Sequence, residues 1–226
     1  MNILFKTLSL LLLIWLPLGS YAEQNVAPGI NDHYRDANVE QWRSIFEREG
    51  REIWDHRHDI MEALDLKPGM KVADIGAGTG FLTLMFAQKV GPKGHAYAVD
   101  ISANFIEGIK QRAKEAGLSN ITGVVNNSRS VMLPDSSIDL AFISDTYHHF
   151  EFPQTTMATI HAALKPQGEL IVIDFRKLPG ISSSWVMGHV RASKQEVIKE
   201  IESAGFILTE EKKFMQGQFY LRFKKQ

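Results

Sequence analysis

The stretch Val72-Ala-Asp-Ile-Gly-Ala-Gly-Thr-Gly80 constrains this chain more than any other. Met70 to Ala73 reads as the end of a buried strand, Asp74 follows, and glycines stand at alternating positions, Gly76, Gly78 and Gly80. From Phe81 onward Phe81, Leu82, Leu84, Met85, Phe86 and Val90 fall at helical spacing. A strand, a glycine-rich turn and a helix make the first half of a nucleotide-binding β-α-β unit. Its glycines let the backbone turn sharply and approach a ligand without a Cβ in the way. The dinucleotide fingerprint G-x-G-x-x-G needs a third glycine three residues after the second. That place is taken here by Phe81. Asp74 would also repel a pyrophosphate, whereas it suits a ligand with a cationic end. A nicotinamide-dependent oxidoreductase is therefore disfavoured.

The chain continues as alternating strands and helices. His95 to Val99 reads as a second strand and ends in Asp100, an acid placed to accept both hydroxyls of a ribose. Ser102 caps the helix Ala103 to Ala116, and Gly117 closes it. Asn120 to Val125 is a third strand. Ile138 to Ser144 is a fourth, with the continuous apolar run of a sheet covered on both faces. Beyond it comes Asp145-Thr-Tyr-His-His-Phe150, at the strand end where doubly wound sheets bind ligands. Its imidazoles can exchange a proton near neutral pH. Pro153 opens a helix that runs to about Leu164. Glu169 to Phe175 is a fifth strand, with Asp174 and Arg176 at its C-terminal end. Leu178 to His189 reads as a flexible lid carrying Trp185, and Ser193-Lys-Gln-Glu196 as a capping box. Phe206 to Phe214 and Gln218 to Phe223 alternate as a terminal hairpin.

The N-terminal part has two characters. Residues 1–22 carry one charge, Lys6, an apolar block from Leu8 to Leu18, and Ser20-Tyr21-Ala22 with small residues at −3 and −1. That pattern predicts a cleaved secretory signal peptide and an exported, periplasmic or secreted product. The alternative is an uncleaved membrane anchor, for which the block falls short of the roughly 20 residues needed to span a bilayer. Residues 23–38 are polar with Pro28-Gly29 and read as an arm or linker. Val39 to Leu66 reads as helix broken near Gly50, with Arg51 a candidate for lining the site.

A chain of 226 residues, 44% hydrophobic, suffices for one domain, residues 39–226, with a real core. A net charge of −1 speaks against nucleic acid as partner. There is no cysteine, which removes disulfides, thiolate metal sites and cysteine nucleophiles. No metal site is expected.

From about Trp42 to Phe223 the chain resembles the class I S-adenosylmethionine (SAM)-dependent methyltransferases. The resemblance rests on Val72–Gly80, Ala98–Ile101, Leu133-Pro134, Asp145–Phe150, Leu164–Gly168 and Ala204-Gly205-Phe206. It is strongest to a subgroup with a DTYHHF element, a histidine before the last helix (here His189) and a strand like Gln218-Phe-Tyr-Leu-Arg-Phe223. The resemblance implies an α/β, Rossmann-like fold: a seven-stranded, mostly parallel sheet with a C-terminal antiparallel hairpin and N-terminal helices. It implies that Asp74, Gly76, Ala77, Gly78 and Gly80 hold the methionine portion of SAM, with Asp145 also on the cofactor, and that Ile101 flanks the adenine. The family's acid after the third strand is missing from Asn126–Ser130, leaving Asn127 or Ser128 to meet the adenine amine. His148, His149 or His189 would serve as base, with Tyr147 and Arg176 orienting. The implied activity is methyl transfer from SAM to a small-molecule acceptor, with S-adenosylhomocysteine as the other product and no metal. The absence of cysteine argues against the arsenite methyltransferases. The leader, the missing acid and the cytoplasmic origin of SAM motivate an alternative, a catalytically silent nucleoside-binding module outside the cytoplasm. Oligomeric state is not legible.

Overall fold

In a computed structural model the described residues are 22–226. The expected leader, apart from Ala22, lies outside them. Helices α1 (Asp32–Arg35), α2 (Val39–Phe46), α3 (Glu52–Asp55) and α4 (Arg57–Leu64) precede β1 (Lys71–Ile75) and α5 (Phe81–Val90). Then come β2 (His95–Asp100), α6 (Ala103–Glu115), β3 (Ile121–Val125), β4 (Ile138–Ser144), α7 (Pro153–Ala163) and β5 (Leu164–Phe175). Helices α8 (Ser184–His189) and α9 (Lys194–Ser203) lead to the last strands, β6 (Phe206–Lys212) and β7 (Gln218–Lys225).

The seven strands form one sheet in the order β3-β2-β1-β4-β5-β7-β6. Strands β1 to β5 run parallel, and β7 lies antiparallel between β5 and β6. This is the expected Rossmann-like arrangement. Alternate residues of each central strand serve opposite faces, as the pleat requires. In β4, Ala141 and Ile143 join Met157, Ile160 and Ile201 on one side. Leu140 and Phe142 join Leu64, Leu82 and Phe86 on the other. Because the order reverses between β1 and β4, a crevice opens at their C-terminal ends, where ligands bind in doubly wound sheets.

Two local expectations shift. Strand β5 begins at Leu164 rather than Glu169, because Leu164 pairs with Ile138 across a register shift. Gln167, at φ 66°, absorbs the irregularity in what composition alone marks as a turn. The segment expected to be an irregular lid contains α8, capped by the Ser183 side chain accepting from the Val186 N–H. Residues 23–38, read as an arm or linker, make the fixed contacts of an arm. The Glu23 carboxylate accepts N–H groups of Gln154 and Thr155 at the start of α7, at 2.7 and 2.8 Å. Asn25 and Asn31 both donate to Glu151, at 2.7 and 3.0 Å. Unpaired N–H groups at a helix start attract a carboxylate, and this one straps the arm across the crevice. The expected capping box at Ser193 and Glu196 is present.

Candidate active site

The crevice is a cavity of about 850 Å³, in the upper part of the range of about 300–1,000 Å³ for small-molecule sites. Its floor is the glycine turn. Gly76, Gly78 and Gly80 all have positive φ, at 75°, 54° and 78°. A Cβ on Gly76 would run into the Thr146 side chain, and one on Gly78 would press on Phe46 at 3.2 Å. Ala77 and Ile101 complete this end of the lining.

Two carboxylates flank the turn. Asp74 is 4% exposed and accepts the Thr83 hydroxyl at 2.5 Å. It has no cationic partner among the described residues. Burial lifts its pKa to about 7, against the Thr83 bond, with the charge of Asp100 adding to the rise. Asp100 accepts the N–H groups of Gly78 and Ser102, each at 2.8 Å. Burial lifts its pKa to about 6 in spite of these backbone bonds. Two buried carboxylates without a counter-ion among the described residues, beside a turn with no room for side chains, fit a ligand that brings an ammonium group and vicinal hydroxyls. SAM is such a ligand.

The adenine end differs from expectation. Asn127 is exposed, and its side-chain oxygen already accepts the Arg129 N–H at 2.9 Å. The neighbouring Asn126 also lines the cavity, and its buried Oδ1 has no partner among the described residues. Asn126 is thus the better acceptor for an exocyclic amine. Ser128 stays on the lining, with its carbonyl taking the Thr156 hydroxyl at 3.3 Å.

Asp145 reaches the cavity, but its carboxylate is already committed. Arg51 Nη2 donates to it at 2.8 Å and Gln218 Nε2 donates to the other oxygen. Burial raises the Asp145 pKa and Arg51 opposes the rise. Asp145 therefore latches α3 to the sheet rather than offering a free charge to a ligand. A second latch joins Glu47 to Thr79 of the glycine turn, at 2.8 Å, and to Arg112, at 2.6 Å. Tyr34, Trp42 and Phe46 form a tilted aromatic series over the cavity, with ring centroids 4.7 and 5.0 Å apart. Tyr34 sits in the polar arm, where nothing in the sequence marked it.

At the far end three imidazoles converge. His148 and His149 lie on a 3-10 turn after β4, and His189 ends α8. One nitrogen from each ring lies within 4.8 Å of those of the other two. His148 donates from Nδ1 to Asp174 at 2.7 Å, and its backbone N–H reaches the other oxygen of Asp174 at 3.0 Å. Burial works against a charged His148, but Asp174 outweighs it and the pKa is raised. His149 is driven down to about 3, by burial first and then by His148 and His189. His189 is lowered by burial and by His148. Trp185 stacks on His189 at 4.6 Å, and Phe175 meets Trp185 edge-on at 5.5 Å.

Two candidates fall away. Tyr147 is fully buried in the core away from the cavity, and its hydroxyl donates to Glu200 at 2.9 Å. Burial raises its pKa and Glu200 adds to the rise, so it is no proton donor to a ligand. Arg176 is off the lining as well, donating from Nε to the Gln218 carbonyl at 2.8 Å. Asp174 does not face the cleft directly but supports His148.

Residues 66–220 match the family described as "Methyltransferase domain". A demethylmenaquinone methyltransferase of Anoxybacillus flavithermus is 28% identical over 145 residues, 64% of this chain and 58% of that protein. A ubiquinone/menaquinone biosynthesis C-methyltransferase of Hydrogenovibrio crunogenus is 32% identical over 127 residues, 56% of this chain and 49% of that protein. The chain thus spans a little over half, or about half, of the relatives it matches. Among solved structures, a SAM-dependent methyltransferase from Aquifex aeolicus superposes with a TM-score of 0.74 at 23% identity, covering 84% of this chain and 99% of that one. That likeness concerns the fold.

Proposed function

The chain belongs to the methyltransferase-domain family, and from that premise we propose that it methylates a small, flat, aromatic acceptor such as a quinol or other hydroxylated ring. SAM, when bound, supplies an electrophilic methyl group on a sulfonium.

The chain's own residues hold, orient and shield. Asp74 meets the cationic amino-acid end, Asp100 the ribose hydroxyls and Asn126 the base amine. Asp74 and Asp100, as charged acceptors, make stronger hydrogen bonds than neutral groups would. The aromatic series Tyr34, Trp42 and Phe46 covers the cavity, and the Arg51–Asp145 and Glu47–Arg112 pairs keep this cover on the sheet. Excluding water and fixing two reactants at near-attack distance supply most of what such a transfer requires. His149, held at about 3, is too weak a base to take a proton from an acceptor hydroxyl; it and His189 line the acceptor end of the cavity, where they can orient one.

One observation carries the reading: a single cavity runs from the unpaired carboxylates to the imidazoles beneath Trp185. A cofactor and a flat acceptor can share it. The named relatives that act on quinones support the choice of ring, although the chain covers only about half of their length. The test is incubation of the purified chain with methyl-labelled SAM and a panel of hydroxylated naphthoquinones, quinols and phenols. Label should pass to one ring class and depend on Asp100. A chain that binds SAM but labels no small acceptor across the panel defeats the proposal.

A further inference from the structure

We propose that His148, His149 and His189 form a site for one zinc ion, with its open coordination position turned into the acceptor end of the cavity.

The nitrogen positions suit a metal. Nε2 of His149 and Nε2 of His189 lie 3.4 Å apart. Two nitrogens bound to one tetrahedral zinc at about 2.0–2.1 Å must sit about 3.3–3.4 Å from each other. A neutral imidazole carries one N–H, so a hydrogen bond satisfies such a pair only when one ring donates and the other accepts. A cation between them takes both lone pairs.

The support around the rings is that of a ligand set. Asp174, 2% exposed, takes the Nδ1–H of His148 and leaves Nε2 of that ring free. A carboxylate behind a histidine fixes the tautomer and strengthens the ring as a ligand. Trp185, Phe175 and Tyr34 pack around the three rings and give the site an apolar shell.

The choice of ion follows from the donors. Three imidazoles without thiolate or carboxylate favour zinc among abundant divalent ions and disfavour magnesium and calcium. All three residues line the cavity. Three protein ligands with the fourth position open is the pattern of zinc sites that bind a reactant rather than hold a fold. Resting on the acceptor reading above, that position would take a hydroxyl or carbonyl oxygen of the acceptor and orient it. This reverses the sequence-based expectation of no metal.

The experiment strips the purified full chain with a chelator and titrates zinc chloride against a competing chromophoric chelator. Cobalt(II) is the spectroscopic stand-in. One zinc per chain should bind, and cobalt should give the intense visible bands of a tetrahedral site. His149→Gln and His189→Gln should each weaken zinc by roughly 100-fold or more, and Asp174→Asn by about 10–100-fold. His189 is only half-buried at the end of a short helix, so its variant keeps the proposal testable if Asp174→Asn does not fold. No zinc binding, or binding equally tight in both histidine variants (an adventitious ion only), overturns the site. SAM titrated into the stripped chain reads the cofactor end separately. Retained SAM binding with no zinc site leaves the methyltransferase reading intact and removes only this one.

Discussion

Replacing Asp74 with Asn should make the protein more stable and less able to bind its cofactor. The Asp74 carboxyl has its folded pKa raised to about 7, against about 3.9 in an unfolded chain. A raised folded pKa means that the ionised form burdens the native state. The burden is absent below about pH 4, grows as pH rises, and is complete above about pH 7. Three units correspond to about 4 kcal/mol at pH 8. Asparagine keeps an acceptor for the Thr83 hydroxyl but brings Nδ2 donors that need partners, at a cost of about 1–3 kcal/mol. The net gain is about 2 kcal/mol at pH 8, or about 4–8 °C in Tm for a domain of this size. Near pH 4 the wild-type carboxyl is protonated, and the gain should vanish or reverse. SAM should meanwhile bind Asp74→Asn more weakly, by about 10–100-fold, because its ammonium loses a charged acceptor worth about 1.5–3 kcal/mol. Thermal melts of both chains at pH 8 and pH 4.5, with calorimetric titration of SAM, test this. A variant equally destabilised at both pH values, or one that binds SAM like wild type, refutes the reasoning.

Other outcomes follow from the same geometry. Between pH 7 and pH 6 the SAM affinity of the wild type should fall about tenfold, as Asp74 (about 7) and Asp100 (about 6) take up protons and cease to be charged acceptors. In Asp74→Asn the fall should shrink to about twofold. Asn126→Ala should weaken SAM by about tenfold, one hydrogen bond, whereas Asn127→Ala, whose side chain serves its own turn, should change affinity little. Gly76→Ala should abolish cofactor binding or fold poorly. It needs positive φ in a residue with a Cβ and collides with Thr146, which circular dichroism and melting would separate.

The sheet was legible because each strand carries its own punctuation. Asp74 and Asp100 close two strands, the glycines turn the chain, and the apolar run of β4 marks a strand buried on both faces. The site was legible where chemistry and position coincide in sequence, as in the glycine turn and the paired histidines. It was not legible where side chains meet across elements. Tyr147 sits between two cavity-lining residues yet points into the core, because a 3-10 turn sends neighbouring side chains in different directions. The sequence left the stretch from Glu23 to Asn38 open between arm and linker, because its contacts are polar bonds to Glu151 and to the start of α7, which leave no hydrophobic period to read. Asn126 and Asn127 are chemically identical neighbours. Only the local turn, which uses one amide and leaves the other unpartnered, tells them apart.

A cofactor held between Asp74 and Asp100 is what the geometry requires above all, and calorimetric titration of SAM into the wild-type chain and Asp100→Ala is its sharpest test. One SAM per chain should bind to the wild type, and the variant should lose about 100-fold or more in affinity, two charge-assisted hydrogen bonds. No SAM binding by the wild type, or equal binding by Asp100→Ala, would contradict it.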